Sequence, residues 1–137
     1  MTTDDELERL IQAARAAASR AYCPYSRFPV GAAVMTSDGA IFSGCNVENA
    51  SSGLTICAER SAVFQAIAAG KQSLRRVIIF TPTPTVTAPC GACRQVLNEF
   101  SADLLVTSVC DGPQRLDCRL SELLPHAFGP ANLVAIE

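Results

Sequence analysis

The chain lacks any excess of positive charge. Eleven Lys and Arg face 13 Asp and Glu, a formal net charge of −2. Nothing here neutralises a phosphate backbone, so duplex nucleic acid is excluded as an expected partner. Long apolar runs are missing too. The longest, such as residues 77–80, fall far below the roughly 18 residues of a membrane span. The acidic start, MTTDDE, has neither the basic nor the apolar stretch of a secretory signal, and a cytoplasmic location is expected. Charged residues make up only 18%, with 8 Gly and 8 Pro, which excludes disordered and collagenous chains. A complete set of disulfides is impossible within one chain, because the seven cysteines are odd in number. In a reducing compartment clustered cysteines more often bind metal or do chemistry than form bridges. What is present is 137 residues, 49% hydrophobic, enough for one domain spanning 1–137.

Periodicity predicts the elements. Thr3 and Glu6 read as a capping box for an amphipathic helix from residue 3 to about 20. Strands are expected at 30–36 and 41–47, joined by a tight turn at Ser37, Asp38 and Gly39. A nearly all-apolar helix over 56–69 ends at Gly70, and such a helix implies burial on most faces. A β-branched strand at 76–81 leads into the breaker-rich segment Thr81-Pro-Thr-Pro-Thr. Residues 90–100 read as a helix, 104–109 as a strand, 115–120 as a fifth strand, and 121–124 as a last helix with Ser121 as N-cap. The alternation implies an α/β three-layer domain, helices lying on both faces of a mixed sheet of about five strands. The Lys71, Arg75 and Arg76 cluster reads as a solvated face.

Two motifs carry chemistry: Cys57-Ala-Glu59-Arg60 and Pro89-Cys90-Gly-Ala-Cys93-Arg94, each opening a helix. The i, i+3 spacing of Cys90 and Cys93 puts both thiols on one face of a first turn. Helix N-termini favour the thiolate, the metal-binding form. Three thiolates converging from two helix starts suit zinc and leave a fourth position open, as in catalytic sites. With Cys57 at the cap, Glu59 leans past the metal as a proton shuttle. Three thiolates and Zn²⁺ sum to −1, so a cation is needed nearby. Arg60 is the first candidate, donating to the sulfurs, and Arg94 the second.

C-x-E followed by P-C-x-x-C is the signature of the zinc nucleoside and nucleobase deaminases. More closely, the chain resembles the small homotetrameric cytidine deaminases. The matching stretches are 21–33 (AYCPYSRFPVGAA), 44–50 (GCNVENA), 57–60 (CAER), 89–95 (PCGACRQ), 122–125 (ELLP) and 128–130 (FGP). The resemblance implies the cytidine-deaminase-like fold and hydrolysis of cytidine and 2′-deoxycytidine to the uridines and ammonia, a pyrimidine-salvage reaction. It implies one Zn²⁺ per subunit held by Cys57, Cys90 and Cys93, with Glu59 moving protons to N3 and to the leaving amine. Phe28 would pack on the pyrimidine, Asn46 and Glu48 would bind ribose hydroxyls, and the Ala58 backbone would meet the base edge. Phe128 would line a neighbouring subunit's pocket, making the active sites of the homotetramer composite.

Two departures stand out. Residues 51–54 read SSGL where many relatives carry a tyrosine, and Ala88 stands where Ser or Thr is usual. Smaller residues at 51–54, Ser52 among them, are expected to open the pocket to N4- or sugar-modified cytidines, and Ala88 to matter less. Two other functions stay open at this stage: a deaminase of a cytosine nucleoside antibiotic, and a non-catalytic zinc-binding or thiol-redox module. The latter needs a fourth ligand, for which His126 is the only histidine, or a reversible Cys90–Cys93 disulfide. Cys23, Cys45, Cys110 and Cys118 read as buried small hydrophobes.

Overall fold

The computed structural model describes residues 3–134. Its elements are α1 (Thr3–Ala18), β1 (Gly31–Thr36), β2 (Ile41–Cys45), a 3₁₀ turn (Ser52–Leu54), α2 (Ala58–Ala68), β3 (Leu74–Thr81), α3 (Gly91–Phe100), β4 (Leu105–Cys110), β5 (Arg115–Arg119), α4 (Leu120–Leu123) and α5 (Pro130–Val134). The sheet order is β2-β1-β3-β4-β5. Only β3 and β4 run parallel, and α3 makes the crossover between them. The Thr3 side chain, half of the expected capping box, lies outside the described residues.

Both sheet faces are covered, which makes the expected three layers. On one face Leu10, Ala14 and Ala18 of α1 pack on Ala33, Met35, Ile78 and Phe80. On the other, Ala62, Val63 and Ala66 of α2 and Leu97 of α3 pack on Ala32, Val34, Val77 and Ile79. All six residues of β1 are buried, since helices lie above and below it. Two glycines set how closely those helices approach. A Cβ on Gly31 would stand 1.9 Å from the Ala14 carbonyl oxygen, and one on Gly44 would stand 2.5 Å from the Ala62 nitrogen. Helix α2 thus rests directly on the β2 backbone.

The β1–β2 hairpin turns at Gly39, whose φ is +89°. The Thr36 hydroxyl oxygen accepts the Ala40 N–H at 3.0 Å, and Asp38 pairs with Lys71 at 2.5 Å. Past β3, the Thr-Pro-Thr-Pro-Thr segment is fastened to the β4–β5 turn. The Asp111 N–H donates to the Thr83 carbonyl at 3.0 Å, the Cys110 thiol reaches the Pro84 carbonyl at 3.7 Å, and Gly112 leaves no room for a Cβ beside Pro84. The Thr81 and Thr83 hydroxyls meet at 2.7 Å.

Several expectations need correction. Arg119, not Ser121, is the N-cap of α4: the Glu122 carboxylate reaches back three residues and accepts the Arg119 N–H at 3.0 Å. Helix α5 was not anticipated. Strand β3 begins two residues earlier than expected, at Leu74. Arg76 is not solvated but 7% exposed, pointing to the Thr107 hydroxyl at 3.4 Å, while Arg75 pairs with Glu6 and Lys71 with Asp38. Helix α2 is buried on one side only, and Phe64 is 49% exposed. Among the four remaining cysteines Cys110 is buried and Cys23, Cys45 and Cys118 are half-buried.

Two glycines on the α2 side test the packing. Gly44→Ala forces the helix off the strand and is expected to cost about 1–3 kcal/mol. Gly53→Ala meets no atom within 4 Å and has no left-handed backbone, so a change within about 0.5 kcal/mol is expected. Urea unfolding of both variants measures the difference.

Candidate active site

Helices α2 and α3 start side by side, and their N-caps are Cys57 and Cys90. Both caps have extended backbones, and neither thiol makes a capping hydrogen bond to the first-turn N–H groups. The Sγ atoms of Cys57, Cys90 and Cys93 all lie within 4.8 Å of one another, and Cys57 and Cys90 are 3.6 Å apart. Zn–S bonds of about 2.3 Å in a tetrahedron put sulfurs about 3.8 Å apart, so the spacing fits zinc. Among the described residues no fourth His, Cys, Asp or Glu donor joins the group, and His126 lies elsewhere on the surface. Three soft donors and one open corner suit a metal that must also take a reactant.

The charges around the sulfurs are arranged to match. A hydrogen bond from Cys93 lowers the Cys57 thiol to about 5, helped by Arg60 and Cys90. The shared hydrogen bond and burial push Cys93 up. Arg60 Nη2 lies 3.3 Å from Cys57 Sγ, and the contact raises the Arg60 pKa. Arg60 is where the charge argument puts it. Arg94 is not: it donates to the carbonyls of Pro89 at 2.7 Å and Leu123 at 2.9 Å and touches no sulfur. Glu59 is 4% exposed, and burial raises its carboxyl to about 7, with the Cys57 charge adding to the effect.

These groups form one end of a cavity of about 400 Å³. It collects Phe28, Asn46, Glu48, Cys57, Ala58, Glu59 and Cys90 from four separate chain segments. Strand β2 stops at Cys45, yet Asn46 and Glu48 still share the cavity side, because Val47 between them pairs with Ile56 and Tyr22. Asn46 is also structural: its Oδ1 accepts the Val30 N–H at 2.9 Å and its Nδ2 donates to the Phe28 carbonyl at 2.8 Å. Cys93, the buried member of the sulfur cluster, and Arg60 do not line the cavity. Phe128 does not reach this cavity. Its ring is 59% exposed, and its carbonyl is held by Gln95 at 2.8 Å and Asn98 at 3.4 Å. Ala88 lines the cavity wall and Ser52 does not.

Ser26, Thr55 and Thr87 also line the cavity, and the sequence reading assigned them no role. Ser26 is the most connected. The Glu48 carboxylate accepts from the Tyr25 N–H at 3.0 Å, the Ser26 N–H at 3.1 Å and the Ser26 hydroxyl. These bonds, the hydroxyl first, hold Glu48 below the usual carboxylate range. The Ser26 oxygen in turn accepts the Phe28 N–H at 3.1 Å. The only early sign was its place in the motif at 21–33.

A three-layer fold that sets a three-thiol, one-carboxyl centre at the end of an apolar cavity open to solvent fits a zinc hydrolase of the deaminase class. Comparison with known proteins narrows it. The model of the family described as "Cytidine and deoxycytidylate deaminase zinc-binding region" matches residues 4–109, and the chain belongs to that family. It is 40% identical over 131 residues to a cytidine deaminase of Sporosarcina psychrophila, covering 93% of this chain and 95% of that one. It is 47% identical over 117 residues to a cytidine deaminase of Mycobacterium tuberculosis, covering 85% of each. The crystal structure of a cytidine deaminase from Burkholderia pseudomallei superposes with a TM-score of 0.85 at 46% identity, covering 93% of this chain and all of that one. The expected fold is therefore observed.

Asn46→Ala removes both partners of the Phe28 and Val30 backbone groups. It is expected to destabilise the protein by about 1–3 kcal/mol, the cost of leaving such groups unpaired. Thermal and urea unfolding measure this without substrate.

Proposed function

We propose that the chain, as a single cytidine deaminase domain, hydrolyses cytidine and 2′-deoxycytidine to uridine and 2′-deoxyuridine with release of ammonia, a step of pyrimidine salvage. The observation that carries the reading is the buried Glu59 carboxyl beside three clustered thiols at the end of a cavity large enough for a nucleoside. Cys57, Cys90 and Cys93 would hold a zinc ion, which would supply Lewis acidity for activating water at neutral pH. The chain's own groups do the rest. Phe28 offers a flat apolar wall for the ring. The Ala58 N–H, in the first turn of α2, has no intrahelical partner and is available to the base edge. Glu59 takes the proton of the attacking water and passes protons to N3 and to the exocyclic nitrogen. Water adds at C4, the C4–N4 bond breaks, and ammonia departs. Carboxyl protonation near neutrality suits both halves of that transfer. Glu48 and Asn46 orient the sugar hydroxyls, Glu48 through whichever acceptor sites Ser26 leaves free. Arg60 offsets the negative sulfur cluster.

The reading extends to assembly. Phe128, turned away from its own cavity, would serve a neighbouring subunit's site. Phe64 and Val47, 49% and 46% exposed, form an apolar patch beside α2 that supports a homotetramer. Tolerance of N4- or sugar-modified cytidines was expected from the small residues 51–54, but none of them lines the cavity; Ala88, expected to matter less, does line it and is what supports that tolerance.

Glu59→Gln should lower kcat by at least about 10²–10⁴-fold while the protein still binds one zinc per chain. Absorbance loss and ammonia release with cytidine, 2′-deoxycytidine and an N4-substituted cytidine measure this. Full turnover by the variant refutes the reading. Phe64→Asp should convert a tetramer into smaller species by sedimentation and depress kcat/KM with them. A wild-type protein that sediments as a monomer with full activity refutes the composite site.

A further inference from the structure

An N-cap residue ordinarily gives its side chain to the first-turn N–H groups, which is why Ser, Thr, Asp and Asn are preferred there. Cys57 and Cys90 occupy that position and give no capping hydrogen bond to the first-turn N–H groups. A sulfur that faces a metal cannot also cap. The backbone at each ligand therefore needs another restraint. One turn further along stand two arginines with different targets. Arg60 reaches the sulfur of Cys57 at 3.3 Å. Arg94 reaches the backbone instead.

Arg94 holds three points. Its own N–H makes the ordinary first α-helical bond to the Cys90 carbonyl at 3.0 Å, as the Ser61 N–H does to Cys57 in α2. Its Nε donates to the carbonyl of buried Pro89 at 2.7 Å. Its Nη1 donates to the Leu123 carbonyl at 2.9 Å, at the end of α4. The two peptide units flanking the Cys90 Cα are thus tied by one residue, and that residue is tied to a separate element. The planar guanidinium fixes both carbonyl directions at once, which a lysine ammonium cannot do. Farther along α3, Gln95 and Asn98 hold the Phe128 carbonyl. One side of α3 therefore fastens the 123–128 segment, and Arg94 is the part of it adjoining the sulfur cluster.

We propose that Arg94 is a positioning residue for the metal centre: it locks the Pro89–Cys90 backbone against the end of α4 and so delivers Cys90 Sγ to its two partner sulfurs. The inference rests on Cys90 being a metal ligand. It predicts that the residue governs metal retention, separately from stability.

The test is release of zinc from the purified, zinc-loaded protein to a chromogenic chelator, with thermal unfolding followed in parallel. Arg94→Lys and Arg94→Gln should lose zinc about 10–100-fold faster, the range for groups that orient metal ligands. The lysine variant keeps the charge and stem and decides the question should the glutamine variant not fold. Arg115→Ala is the control. It removes the exposed 2.7 Å pair with Asp117 without touching Pro89 or α4, and its release should stay within about twofold of wild type. Release from Arg94→Lys within about twofold of wild type overturns the proposal. So does release that merely follows the melting temperature across all three variants. Cys90→Ala separates the two levels of the argument: normal zinc content and release in that variant would overturn the ligand assignment itself.

Discussion

Three sulfurs within 4.8 Å of one another are the constraint on which the molecule depends. Thiolates repel at that distance, and a protein that gathers them must supply both rigid geometry and countercharge. Rigid geometry comes from the sheet. Strands β1 and β3 give α2 and α3 a common floor, and Gly44 lets α2 settle on β2 without an intervening side chain. Countercharge comes from Arg60 and would come from a zinc ion held by the sulfurs. Glu59 is held almost out of water in the same place, which keeps its proton available near neutral pH. Moving either helix start by an ångström would disturb the sulfurs, the carboxyl and the cavity together.

The division of work between the two arginines follows from that constraint. Each ligand-bearing helix begins with a cysteine that does not cap it. At α2 the remedy is electrostatic, a guanidinium against sulfur. At α3 it is mechanical, a guanidinium gripping carbonyls on both sides of a gap between α3 and α4. The same residue type serves because it combines permanent charge with a planar donor fork.

Much of this was legible in the sequence, for reasons that differ by residue. The sulfur site was readable because cysteines at fixed spacing on helix starts leave few geometric options. The sheet was readable because its strands are β-branched and its turns carry Gly, Asp and Pro. Arg94 was misread because residue type shows a charge but not its target. Arg76 was misread because neighbouring Arg75 and Lys71 suggested a wet face, while β3 pairing turns its side chain inward against the sheet. Ser121 was a better capping residue by type than Arg119, yet Glu122 closes the box from three residues on. Ser26 could not be valued in advance, since its two partners, Glu48 and Phe28, meet it only after folding.

The segment between β3 and α3 has a lesson of its own. One wall of the cavity, at Thr87 and Ala88, belongs to a stretch whose anchors lie at the far end of β4, in threonine hydroxyls, a cysteine thiol and a glycine that admits Pro84. The reactive groups hang from a different pair of helices. The shape of that wall thus depends on contacts at the end of β4, and it joins the sulfur cluster only through Pro89, where the Arg94 side chain takes hold.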